Sequence, residues 1–323
     1  MTLATALHYV YRLSLPTLAY SDARSTTHSL LPTTYYRMIT FLRFGRAHTL
    51  IGTTLSLLAL YLMAARHVGA DDWWMFGASL FSCLAANVYI TGLNQVTDVE
   101  IDRINKPYLP LASGAYSMRA GKIIVGVCLV LAVATSFLYR PWLTATVLSS
   151  LLIGTAYSVE PVRLKKYHFW AAFCIIVVRG LIVNLLLYLH FRTSLGAGPQ
   201  VQGTVWLLTG IIFVFGIIIA WFKDLPDTEG DEAHGIKTLT LLQSREWVYS
   251  RGGLLLTVTL FLAAAYAFWV GWVFLGVGLA ALLVGYRFVA SRLDLTDQAS
   301  IARFYQGTWV VFFGIYLVFA VWG

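Results

Sequence analysis

The chain has 323 residues, of which 59% are hydrophobic and 12% charged, and its net charge is +8. Soluble domains carry about 25% charged residues, so this composition excludes an ordinary soluble protein and predicts one built for lipid. The positive balance suits anionic headgroups and anionic substrates, whereas nucleic-acid binding is not expected, because no basic helix or base-stacking module is present.

Residues 1–36 are polar, rich in Ser and Thr, and contain one acidic residue, Asp22. We interpret them as an N-terminal interfacial arm that precedes a membrane domain of residues 37–323, with a transit-peptide remnant as the alternative.

Nine apolar runs then follow, each reaching the roughly 17–25 residues that span a bilayer. The predicted helices cover 47–65, 74–95, 121–139, 141–158, 168–190, 204–222, 253–270, 271–289 and 304–322. The fold class is therefore all-α and integral to the membrane, with breaks at Arg140-Pro141 and Gly271 inside two close helix pairs.

The cationic residues lie mostly on one side of these predicted helices. Of the 23 Lys and Arg residues, 19 fall in the N-terminal segment and in the loops after the even-numbered helices, three fall in the other loops, and Arg179 lies within the fifth helix. By the positive-inside rule, the N-terminus is cytoplasmic, or stromal in a plastid.

The second predicted helix ends in an acidic cluster that includes Asn94, Asp98 and Asp102. Residues spaced by four share one face of a helix, so we expect these three side chains to point the same way.

The sixth predicted helix ends in a second cluster, formed by Asp224, Asp227 and Asp231. Both clusters open long loops on the cytoplasmic side, 129 residues apart from Asp98 to Asp227. We therefore predict two related halves, each contributing one acidic loop to a central cavity.

Carboxylates beside lipid are costly and usually mark function, and neighbouring carboxylates repel unless cations intervene. Mg²⁺ prefers oxygen ligands and bridges carboxylates to substrate phosphates. We therefore predict a Mg²⁺-dependent diphosphate site with Asp98, Asp102, Asp227 and Asp231 as metal ligands.

Several cations are placed to bind a diphosphate near these clusters, although headgroup contacts or a purely topological role are the alternatives. They are Lys106, Arg163, Lys165, Lys223 and Lys237.

Two segments closely resemble the two motifs of UbiA-type intramembrane prenyltransferases, in the homogentisate prenyltransferase branch. They are residues 94–114, which include the run Asn105-Lys106-Pro107, and residues 223–238, and each contains one of the acidic clusters. Weaker matches include Arg46, Tyr157 and Asn184, which the resemblance makes substrate-binding candidates. It also implies that Asn94 and all five aspartates act in catalysis.

The resemblance implies a reaction as well. A prenyl diphosphate ionises at the Mg²⁺ site, and an electron-rich aromatic carbon attacks the allylic cation. With homogentisate, loss of CO₂ accompanies the transfer. The sequence does not indicate donor length, the natural acceptor or the oligomeric state.

Two other functions fit the same residues. A UbiA-type terpene cyclase would ionise the diphosphate but quench the cation internally, so its product would form without an aromatic acceptor. A transporter would use the carboxylates as cation or proton relays and would release no diphosphate.

Overall fold

Nine long helices form the membrane part of the protein in a computed structural model, which describes residues 33–323 except 234 and 236. They are α1 (Ala47–Val68), α2 (Trp73–Thr97), α3 (Met118–Ser136), α4 (Trp142–Ser158), α5 (His168–Ser194), α6 (Gly203–Phe222), α7 (Arg245–Trp269), α8 (Val273–Ala290) and α9 (Gln298–Trp322). Eight of these are long and apolar enough to cross a membrane, and α4, at 17 residues, is at the lower limit. The prediction of nine helices is confirmed within the described part of the chain.

Short polar caps explain where several helices begin. The side chain of Asp72 accepts a hydrogen bond from the Met75 amide, and Ser244 accepts one from the Trp247 amide. Because Ser244 caps α7, that helix begins eight residues before the predicted apolar run. Its first turns are polar, so hydropathy alone did not include them.

The two predicted breaks lie between helices, as expected. Residues 137–141 separate α3 from α4, and Gly271, whose φ is 83°, turns the chain between α7 and α8. Only glycine adopts this left-handed conformation without steric cost.

A helix of residues Thr33–Phe44 precedes α1 and runs across the boundary we predicted between residues 36 and 37. The rest of the predicted N-terminal arm lies outside the described residues.

The helices form a ring around a central cavity. α1 packs against α2, α5 and α9, while α6 packs against α5, α7 and α9. The cavity is lined by residues of α1, α2, α4, α5, α6 and α9. Its mouth opens where α2 and α6 end, which places both acidic loops at one end of the bundle.

Candidate active site

The two acidic loops share one local design. α2 ends at Thr97, Asp98 leaves the helical conformation, and a short helix of Val99–Asn105 follows, in which the Asp102 amide donates to the Asp98 carbonyl at 2.8 Å. In the second loop, Asp227 directly precedes the short helix Thr228–Ala233, and the Asp231 amide donates to its carbonyl at 3.2 Å. The prediction that Asn94, Asp98 and Asp102 share one face of a continuous helix is therefore wrong, because the helix is interrupted at Asp98.

The two loops meet across the mouth of the cavity. Lys106, which follows the first short helix, forms an ion pair with Asp227 of the second loop. Its neighbour Asn105 donates a hydrogen bond to Asp231 at 3.4 Å. The two short helices also contact each other. Motifs more than 120 residues apart in sequence thus form one site.

Basic side chains surround the first cluster. Asp98 pairs with Lys165 and with Arg163, whose Nη2 lies 3.0 Å from Oδ1. Asn94 donates to Asp98 at 3.0 Å and accepts from Arg46 at the same distance. Asp98 is therefore held from three directions.

In the second cluster, Lys223 pairs with the neighbouring carboxylate of Asp224. Tyr157 lines the same cavity as Lys223.

Arg46 and Arg163 are the two described non-glycine residues with positive φ, at 52° and 31°. Such residues are uncommon, and each costs on the order of 1–3 kcal/mol, which the surrounding structure must offset. Both direct a guanidinium toward the Asn94–Asp98 pair. Both residues with this uncommon backbone conformation therefore contribute a side chain to the site.

Burial and mutual repulsion change the charge state of the acidic residues. Burial, reinforced by Asp98 and Asp227, raises the pKa of Asp102 to about 6, against the opposing effect of Arg46 and Lys106. Burial, with Asp227 and Asp224, raises the pKa of Asp231 to about 7. Both carboxylates thus favour a cationic partner at neutral pH.

The pKa values of two lysines at the site shift in opposite directions. Burial lowers the pKa of Lys165 to about 8, although Asp98 opposes the change. At Lys106 burial would also lower the pKa, but attraction to Asp227 and Asp102 outweighs it and raises the pKa.

The donor set fits a hard divalent cation. Oδ2 of Asp102 is buried without a hydrogen-bond partner, which leaves a carboxylate oxygen available for a metal ion. No three acidic side chains of the described residues converge closely enough to hold an ion by themselves. Mg²⁺ does not require such a cage, because it usually binds one or two carboxylates and completes its shell with water and substrate phosphates.

A cavity of about 250 Å³ extends from this mouth into the bundle. Arg46, Asn94 and Lys223 line its polar end, so it connects directly with the acidic site. Deeper in, the wall becomes aromatic, with the rings of His48 and Trp309 in contact at a centroid distance of 4.9 Å. Aromatic faces stabilise cations, and the surrounding apolar helices limit access of water.

Two predicted site residues lie apart from the others. Lys237 is exposed, and its backbone bridges to Tyr167. Asn184 is fully buried, donates to the carbonyls of Arg179 and Gly180, and accepts from Tyr316 at 2.8 Å. Its amide therefore stabilises α5 against α9.

Sequence analysis did not identify Asn87, which lines the cavity and exchanges hydrogen bonds with Thr49 and Thr53. The signal was an amide in an apolar helix, seven residues before Asn94. His48 was likewise not proposed as a site residue, although it lines the cavity and its ring contacts Trp309.

Comparison with known proteins agrees with this arrangement. A family model described as "UbiA prenyltransferase family" matches residues 43–317. A homogentisate phytyltransferase of Synechocystis sp. is 46% identical over 87% of this chain and 95% of its own length. A chloroplastic homogentisate solanesyltransferase of Arabidopsis thaliana is 35% identical over 86% of this chain and 75% of its own length.

A solved structure has the same fold. The UbiA homologue from Archaeoglobus fulgidus, bound to DMAPP and Mg²⁺, superposes with a TM-score of 0.60 at 19% identity, covering 84% of this chain and 99% of the homologue.

Proposed function

Because the chain belongs to the UbiA prenyltransferase family, we propose that it transfers an isoprenyl group from a prenyl diphosphate to the aromatic ring of homogentisate, with Mg²⁺ as cofactor. The observation that carries this proposal is the meeting of both acidic loops at the mouth of one cavity, joined by Lys106 and Asp227. The names of its relatives support homogentisate as the acceptor.

The donor's diphosphate would bind among the basic side chains at the mouth, namely Arg46, Lys106, Arg163, Lys165 and Lys223. Asp98, Asp102, Asp227 and Asp231 would hold Mg²⁺, which neutralises negative charge on the leaving diphosphate. Each lysine of this set already lies against a carboxylate, so a short displacement would bring it to a phosphate oxygen.

Ionisation breaks the C–O bond of the donor, and both electrons leave with the diphosphate. The allylic cation would form at the junction of the polar mouth and the aromatic wall, beside Tyr157, Tyr305 and Trp309. Pre-positioned cations at the mouth stabilise the charge that develops on the leaving group. A ring carbon of the acceptor then bonds to the cation, and the ring loses a proton. Homogentisate would also lose its carboxylate as CO₂, and the remaining side-chain carbon would take up a proton.

The site would face the cytoplasm, or the stroma in a plastid, together with the N-terminus. The excess of Lys and Arg in the loops at the mouth supports this orientation.

An acceptor-dependence assay tests the proposal. Purified protein in detergent receives Mg²⁺ and labelled geranyl, farnesyl, geranylgeranyl or phytyl diphosphate, with and without homogentisate. We expect a prenylated quinol that requires the acceptor, and none from Asp227→Asn. A terpene alcohol or hydrocarbon formed equally well without acceptor would replace the proposal with the cyclase. Absence of diphosphate release with every donor would overturn both.

A further inference from the structure

Arg179 is a cation within a membrane-spanning helix, and no carboxylate of the described residues pairs with it. Its guanidinium lies over the rings of Trp309 and Phe312, at 5.1 and 6.0 Å from their centroids, and it lines the cavity. Among the residues that the structure describes, its guanidinium forms no ion pair and no hydrogen bond, although its backbone carbonyl accepts from Asn184. An ionisable group at this depth is costly and is expected to have a partner.

Several polar side chains around the cavity bond to one another. Tyr316 donates to Asn184 at 2.8 Å, and Asn87 donates to Thr53 at 2.8 Å. No Asp or Glu is among the described residues that line the cavity around Arg179, and the tyrosines there, Tyr305 and Tyr316, are not anions at neutral pH. The local protein environment therefore supplies donors and neutral rings but no negative charge.

The backbone of α5 is specialised at this point. Residues Val177–Leu186 form a π-helical segment between two α-helical parts, a rare arrangement that is frequent at functional sites. Gly180 packs directly on the backbone of Phe213 in α6, where a Cβ atom would come within 2.8 Å of Cα. This close approach brings α5 and α6 together beside Arg179, which lines the cavity.

The anion expected to pair with Arg179 is not the donor's diphosphate. That group has its own cations at the mouth, Lys106, Lys165 and Lys223, whereas Arg179 lies over the ring of Trp309 at the aromatic wall. The prenyl tail of the donor is an uncharged hydrocarbon. The remaining molecule that enters the cavity is the acceptor, whose charge is a carboxylate when it is an aromatic acid.

We propose that Arg179 binds the carboxylate of the aromatic acceptor and so determines specificity for aromatic acids. The proposal rests on the proposed function and names a recognition residue for the same cavity. A guanidinium pairs with a carboxylate through two parallel hydrogen bonds, which would fix the ring's orientation toward the mouth. Trp309 would support the guanidinium from its other face. The contact is required for binding and has to persist only until the ring is alkylated.

The test compares two acceptors that differ in charge. Wild type, Arg179→Met and Arg179→Lys are assayed with homogentisate and with its neutral amide, 2,5-dihydroxyphenylacetamide. We expect Arg179→Met to raise KM for homogentisate about 10- to 100-fold, the usual cost of losing a charged hydrogen-bond pair. The Kd of the amide, measured by titration calorimetry because an amide cannot lose CO₂, and KM for the prenyl diphosphate should change little. Arg179→Lys should recover part of the loss.

Other outcomes would overturn the proposal. If Arg179→Met weakens the binding of both acceptors equally, Arg179 stabilises the fold through its contacts with the rings of Trp309 and Phe312 and does not recognise the carboxylate. If homogentisate binds Arg179→Met as tightly as wild type in titration calorimetry, without donor, the contact does not exist. Failure of wild type to prenylate homogentisate, despite binding it more tightly than Arg179→Met does, would overturn the proposed function and leave the anion site standing.

Discussion

Replacing Lys106 by Met separates the electrostatic role of this residue from its structural one. Lys106 is the cation that joins the two acidic loops, through Asp227. Removing one partner of a fully buried pair costs about 3–5 kcal/mol. Here the two side chains keep 23% and 14% of their surface exposed, so screening reduces the expected loss to about 2 kcal/mol.

The effect on catalysis should be larger than the effect on stability. Loss of one pre-positioned charge that stabilises a developing anion typically lowers kcat about 10²–10³-fold. Mg²⁺ should restore most of the lost thermal stability, because it supplies the positive charge that Asp227 has lost. It should not restore turnover, because the diphosphate would still lack Lys106.

The assay measures kcat for diphosphate release at saturating donor, and Tm in detergent with and without Mg²⁺. Lys166→Met is the matched control, because Lys166 is exposed and pairs with the exposed Glu160. Surface pairs of this kind contribute about 0–1 kcal/mol. Turnover by Lys106→Met within a factor of about three of wild type would refute the assignment of Lys106 to the leaving group.

Three further predictions concern the metal ligands, pH and packing. Asp227→Asn should lower turnover by at least about 10³-fold and remove the Mg²⁺-dependent rise in Tm, because a ligand and a charge are lost together. Raised pKa values at Asp102 (about 6) and Asp231 (about 7) mean that protons compete with Mg²⁺, so the Mg²⁺ concentration for half-maximal rate should rise as pH falls from about 8 to about 6. Gly252→Ala should cost about 1–3 kcal/mol, measured as a lower Tm, because the new Cβ would lie 2.4 Å from the buried ring of Phe222.

Matched substitutions provide the controls for these predictions. Glu100→Gln removes an exposed acid from the same loop as Asp98 and should leave turnover unchanged. A Mg²⁺ requirement that is independent of pH would show that the acidic ligands are already ionised. Gly126→Ala faces open space and should leave Tm equal or slightly higher, since alanine favours the helix. An equal loss at both glycines would contradict the packing argument.

The sequence was sufficient to predict the nine membrane helices and to recognise the acidic motifs. Apolar runs of membrane length are a strong signal, because backbone groups in lipid must be satisfied within a helix. Asp98 and Asp227 were recognisable because carboxylates at such helix ends are costly without a role. The loop charges likewise predicted one face for both clusters.

Three-dimensional packing decided which of these residues meet. Lys106 and Lys237 both flank an acidic cluster in sequence, yet Lys106 reaches Asp227 while Lys237 is exposed. The interruption of the helix at Asp98 was also not readable from spacing, because a four-residue period is equally compatible with one continuous helix.

Arg179 shows most clearly the difference between what the sequence predicts and what the tertiary structure decides. Its position inside a predicted helix followed from hydropathy, but its lack of a carboxylate partner depends on α1, α6 and α9 at once. Local sequence determines the periodicity of each helix and the placement of its charges. Whether a buried charge finds a partner is decided by residues far away in the chain, and only the folded bundle brings those together.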